Sequence, residues 1–236
     1  MRKTIAIAAS ALLLIGCAEM NTVLNDMNTI PTGPAPLTNI EVIKGLKEAL
    51  SVGTNNSTAL TSKLDGFYKN PEIFIPFPPE AIKVKEKVEM LGMQSQVDKF
   101  VMTMNRSAET ATKKAAPIFL NAITSMSIAD GFAILKGGDN AATNFLKEKT
   151  SGQLRTEFNP VVKNAISEVE VTKYWNPVIT TYNKIPFIEK QNPNLEDYIT
   201  TKAMDGMFLM ISKEEKNIRK DPIARVSAIL KRVFGA

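Results

Sequence analysis

From Thr38 onward, apolar residues recur at helical spacing and almost never alternate as a strand would. Thr38-Asn39-Ile40-Glu41 predicts a capping box that opens a helix with Ile43, Leu46 and Leu50 on one face. "VGTNNS", from Val52 to Ser57, predicts the end of that helix, with a second short one over Ser57 to Leu64. Asp65 to Pro71 carries turn residues, and "IFIPFPP", Ile73 to Pro79, predicts an extended segment whose prolines bar it from a central strand. Pro79 to Leu91 predicts a helix that stops at Gly92. The clearest pattern follows: Val97, Val101, Met104, Ala108, Ala111, Ala115, Ile118 and Ala122 recur at alternating steps of four and three, a heptad seam. Its alanine middle lets a partner helix approach closely and predicts a long helix at the domain centre, with Pro117 kinking or restarting it.

"KGGDNAAT" predicts a turn between two helices, Gly137 ending one and Asp139 capping the next. A Gly-rich turn before a helix can cradle phosphate, but the Asp139 carboxylate is expected to fill the amide site, and no Walker pattern is present. Phe158 to Val169 predicts a helix with Pro160 early in it. Trp175 is expected as a core or hinge aromatic beside "NKIPFIEKQNPN", a second proline-bearing loop. Leu195 to Lys220 carries Ile199, Ala203, Met207, Met210 and Ile211, widened by Met204 and Phe208, and predicts a largely buried helix in which Gly206 admits a neighbouring backbone. Asp221-Pro222 predicts a cap and first turn, followed by the apolar face Ile223, Val226, Leu230 and Val233. The fold class expected is all-α: a single, bundle-like, multi-helix domain over residues 38–236.

The segment before this domain has a different logic. Arg2 and Lys3 precede an apolar run from Thr4 to Ile15, too short to span a bilayer, which needs about 20 residues. The run ends Leu14-Ile15-Gly16-Cys17, and Cys17 is the single cysteine. That order resembles the bacterial lipobox, in which the thiolate takes a diacylglycerol before cleavage frees the cysteine amine. The expectation is a signal peptide over residues 1–16 and a tether over 17–37, rich in proline and glycine near its end, leading from acylated Cys17. Ala18, not aspartate, follows the cysteine; by the enterobacterial sorting rule this implies the periplasmic face of the outer membrane within the cell envelope.

Losing residues 1–16 removes Arg2 and Lys3, so the net charge falls from +5 to +3, too weakly basic to suggest a nucleic-acid partner. The absence of histidine excludes His-based triads, His general bases and His metal ligands, and no cofactor or metal is expected. Carboxylates remain. Asp130, Asp205, Glu214 and Glu215 lie in or beside apolar helical stretches, either as acids in a cleft facing Lys202 or Arg225, or as helix ion pairs. Glu215 and Arg219, four apart, share a helix face and can pair. Lys213 to Arg232 holds seven basic and three acidic residues, so Lys220, Arg225, Lys231 and Arg232 are candidates for a basic surface meeting head groups or an acidic partner.

"GLKEAL", "DGF", "IPFP", "MNRSAETA", "ILKGG" and "DYITTKAMDGMFLMISKEEKNIRKDPIAR" occur in an order that resembles the bacterial family called domain of unknown function 4197, over about Ile40 to Gly235. The resemblance implies an all-α, often lipid-anchored protein and carries no catalytic residue. Gly131 stands where alanine is expected in that family, a change expected to touch helix propensity alone. The expected function is a non-enzymatic envelope module, held to the membrane through the lipid on Cys17, that binds a protein partner or a membrane surface. The alternative is a periplasmic small-ligand binder or a carboxylate-based hydrolase.

Overall fold

The structure is a computed structural model that describes residues 38–90, 92–167, 184, 186–187, 194–221 and 227–234. Cys17 and the tether, Trp175, Pro222 to Val226 and therefore Arg225 lie outside the described residues. Eight α-helices are described: α1 Asn39–Ser62, α2 Ile82–Met90, α3 Gln94–Thr112, α4 Ala115–Thr124, α5 Ile128–Lys136, α6 Ala141–Ser167, α7 Leu195–Lys220 and α8 Ala228–Phe234. A single 3-10 turn, Pro79–Ala81, leads into α2, and no strand occurs among the described residues. The domain is all-α.

The Thr38 capping box forms as the sequence predicts: the Glu41 N–H donates to Thr38 Oγ1 at 3.2 Å and the Thr38 N–H donates to Glu41 Oε2 at 2.9 Å. α1, however, runs through "VGTNNS" without a break. Asn55 and Asn56 face solvent, while Thr54 and Ser57, with Thr58 and Thr61 in the next turn, are buried. Thr54 and Thr61 donate their hydroxyls back to the carbonyls of Leu50 and Ser57 at 2.8 and 2.9 Å, which removes the cost of burying them. Gly53 sits against α7, where an added Cβ would lie 3.3 Å from Glu214 Cγ. Packing on α7 thus overrides weak local propensity.

The heptad seam divides between α3 and α4, which restart at Ala115 with Pro117 in the first turn, where its missing N–H costs nothing. Val97, Met104, Ala108, Ala111, Ala115 and Ile118 are buried, and Val101 and Ala122 pack on the core from its edge. α6 likewise joins two predicted helices into one of 27 residues with Pro160 inside. Pro160 lies on the exposed side, so the carbonyl that loses its partner can reach water. α3 packs on α6 and α7, which lie along each other, and α1 packs on α7, α4, α5 and α8. Pairing of Glu215 with Thr143 and of Arg155 with Asp197 makes α6 and α7 antiparallel.

Two glycines have roles that differ from their sequence reading. At Gly131 a Cβ would collide with Ile43 Cδ1 and touch Leu46 Cδ2 at 3.6 Å, so the glycine makes room for α1 as well as lowering helix propensity. At Gly206 the close neighbours are side chains and not a backbone: Phe67 Cε1 at 2.8 Å and Ile73 Cβ at 3.0 Å. Gly92 ends α2 with φ +78°, as its position predicts.

Ala111 is fully buried, at 0 % exposure. Replacing it with glutamate places an unpaired charge and a large side chain in the seam, and is expected to cost about 3 kcal/mol or more in urea unfolding. An unchanged unfolding midpoint would remove the seam from the core.

Candidate functional site

The most ordered chemistry in the domain surrounds two buried carboxylates. Glu215, on α7, is a buried residue whose neighbours are the first turn of α6. Its Oε1 accepts from the Ala142 N–H at 3.0 Å, and its Oε2 accepts from the Thr143 N–H and hydroxyl at 2.9 and 2.8 Å. It therefore caps α6 from another helix, taking the amide site that the sequence assigns to Asp139. Arg219, one turn on, donates Nε and Nη2 to Glu215 Oε1 at 3.0 and 2.8 Å, as the i,i+4 spacing predicts. The same Nη2 donates to the Ile134 carbonyl at 3.0 Å, in the last turn of α5, where a cation is favoured. Glu215 and Arg219 also line an apolar cavity of about 20 Å3 beside Leu46, Leu50 and Ile211, room for about one water.

The second carboxylate, Glu109 on α3, was not singled out by sequence reasoning. Its Oε1 accepts from the N–H groups of Phe67 and Tyr68, both at 3.1 Å, and its Oε2 accepts from Arg106 at 2.7 Å. Arg106 also reaches Asp65 Oδ1 at 2.6 Å and stacks 5.2 Å from the Tyr68 ring centroid. One turn earlier, Asn105 clips the extended segment: its Oδ1 accepts from Ile75 N–H at 2.8 Å and its Nδ2 donates to Ile75 O at 2.9 Å. "DGF", "IPFP" and "MNRSAETA" thus meet in one network that fixes residues 65–78 on α3. The legible signal was the i,i+4 pair Asn105 and Glu109 beside the alanine seam: polar groups on a face that must be buried.

The remaining candidates are dispersed. Asp130 is the N3 residue of a capping box with Ser127 at the start of α5. Asp205 is exposed and lines a separate cleft of about 210 Å3 with Glu72, Phe74 and Lys202. Glu214 accepts from Asn56 Nδ2 at 2.6 Å, across to α1. The structure brings Glu215 and Arg219 together and leaves Asp130, Asp205 and Glu214 in three different places. The basic stretch is paired at the surface with acids elsewhere in the fold: Lys213 with Glu72, Lys220 with Asp139 at 3.0 Å, and Arg232 with Glu41 at 3.5 Å. Lys231 is exposed on α8. Among the described residues no three His, Cys, Asp or Glu side chains are close enough together to hold a metal, and no single helix is long and apolar enough to cross a membrane.

These contacts order the titrations. Glu41, Asp65, Asp130 and Asp139 lie below their ordinary values of 4.5 for glutamate and 3.8 for aspartate. The main causes are the Thr38 N–H, the Lys69 ammonium, the Ser127 hydroxyl and the Lys220 ammonium, respectively. The hydrogen bond that Arg106 donates to the Glu109 carboxylate raises the guanidinium above its ordinary value.

Two expectations follow from this geometry. Replacing Glu215 with glutamine keeps the shape but removes the charge and one acceptor oxygen, which should cost about 2 kcal/mol; alanine should cost about 3 kcal/mol or more, because Arg219 and two helix amides lose their partner. Urea unfolding of both variants reads this, and hydrogen exchange should localise the loss to the first turn of α6. A lowered carboxylate contributes stability above its unfolded value and loses it as pH falls through the folded one. The melting temperature should therefore fall on acidification below about pH 4, with a shallower slope in Ser127→Ala, which lacks the main cause of the Asp130 shift.

No curated protein and no solved structure matches this chain. The family described as Protein of unknown function (DUF4197) matches residues 36–235, from just before the Thr38 capping box to the end of the last helix. With both buried-carboxylate networks inside the matched span, the chain belongs to the DUF4197 family.

Proposed function

We propose that the chain is a lipid-anchored module of a bacterial envelope, held through an acylated Cys17 on the periplasmic face of the outer membrane, and that it works by presenting a rigid helical surface to a protein partner. The anchor rests on Leu14-Ile15-Gly16-Cys17 behind a charged and apolar start, and the outer-membrane assignment on Ala18. The observation that carries the non-catalytic reading is the use made of the acids. Glu109 and Glu215 are each consumed by two main-chain N–H groups and an arginine, and Asp130, Asp205 and Glu214 do not share a cleft. Lys213, Lys220 and Arg232 each lie beside an acid at the surface, so the stretch presents mixed charge, which favours a protein partner over an anionic lipid surface, since exposed charge of one sign is what head groups would attract.

Cys17→Ser is expected to leave unprocessed or soluble protein, because a hydroxyl cannot replace the thiolate in lipid transfer. Membrane fractionation and intact mass spectrometry check it, and a wild-type chain without an acyl mass would overturn the anchor. The soluble 38–236 domain and its variant with Lys220, Arg225, Lys231 and Arg232 all changed to glutamine should bind anionic vesicles equally poorly at low and moderate salt. Salt-sensitive binding by the unsubstituted domain that the variant loses would favour an electrostatic surface instead.

A further inference from the structure

Between α4 and α6 lies a cleft of about 300 Å3, separate from both carboxylate networks and at the lower end of the volumes that ligand sites occupy. One wall is the α4 face bearing Ile118 and Asn121, continued by Ser125 just after the helix; the other is the α6 face bearing Phe145, Lys149 and Gln153. Asp130, at the start of α5, also lines it. The half-buried Phe145 gives the cleft apolar surface, above the buried Ile118.

The polar groups divide sharply by commitment. Asp130 is held by Ser127, and Lys149 is paired with Glu148 at 3.0 Å and sits 5.9 Å from the Phe145 ring centroid. The cleft thus presents one charge of each sign, both already occupied, and it has no excess with which to hold an ion. Asn121, Ser125 and Gln153 are exposed, and their side chains make no hydrogen bond to any other described residue. They bring two carboxamides and a hydroxyl from two walls, each able to donate and to accept. Both walls are helical, so their main-chain groups offer no edge on which a peptide strand could pair.

We propose that this cleft binds one unit of a neutral saccharide, its ring hydroxyls paired with Asn121, Ser125 and Gln153 and a C–H face of the ring laid on Phe145. A pyranose combines what this site combines: hydroxyls that donate and accept around a rim, apolar C–H patches on the ring faces, and no net charge. The assignment does not depend on the anchor or on the protein partner.

The test is saturation-transfer difference NMR on the purified full chain in detergent, with glucose and N-acetylglucosamine as probes and glycylglycine and inorganic phosphate as controls. At least one sugar should give a saturable signal that the controls do not. The Asn121→Ala/Gln153→Ala double variant should bind it about tenfold more weakly, as the loss of two neutral hydrogen bonds implies, at an unchanged melting temperature. Ser125→Ala should weaken it less and serves if the double variant unfolds. A saturable signal from neither sugar, equal signals from a control, or undiminished binding in the variant that folds would overturn the proposal.

Discussion

Main-chain N–H groups buried away from water must find an acceptor, and this domain has places where its own helices supply none. The first turn of α6 is buried beneath α7, and the turn at Phe67 and Tyr68 is pressed onto α3. In each case a glutamate from the covering helix supplies the acceptor, Glu215 for Ala142 and Thr143, and Glu109 for Phe67 and Tyr68. Each carboxylate then needs a cation close by, which Arg219 and Arg106 supply from the same helices. An orphaned buried amide costs about 1–3 kcal/mol, more when a charge loses its partner with it, so these clasps hold α6 and the 65–78 segment in place.

The clasps also decide which chemistry is open to the domain. A carboxylate that accepts from two amides and an arginine of its own domain is turned into the protein and away from a substrate. Two of the charged groups that read as a basic tail along the chain, Lys220 and Arg232, instead join α7 to Asp139 and α8 to the start of α1. In the α4–α6 cleft the side chains left uncommitted are neutral, which is why a neutral ligand is proposed there.

The all-α class, the Thr38 cap, the stop at Gly92, the buried face of α7 and the pairing of Glu215 with Arg219 were all legible in the sequence. Each depends on spacing of a few residues within one helix, where geometry is fixed at 3.6 residues per turn. What tertiary structure alone decided was everything that depends on a neighbour far along the chain. α1 continues through Gly53, Thr54 and Ser57 because α7 packs there, and α6 continues through Pro160 because that residue faces water. Gly131 is shaped by Ile43, and Gly206 by Phe67 and Ile73. The cap of α6 comes from Glu215 and not from the adjacent Asp139, because a helix terminus accepts any carboxylate that packing delivers, and which one arrives is a property of the assembled core that no local pattern encodes.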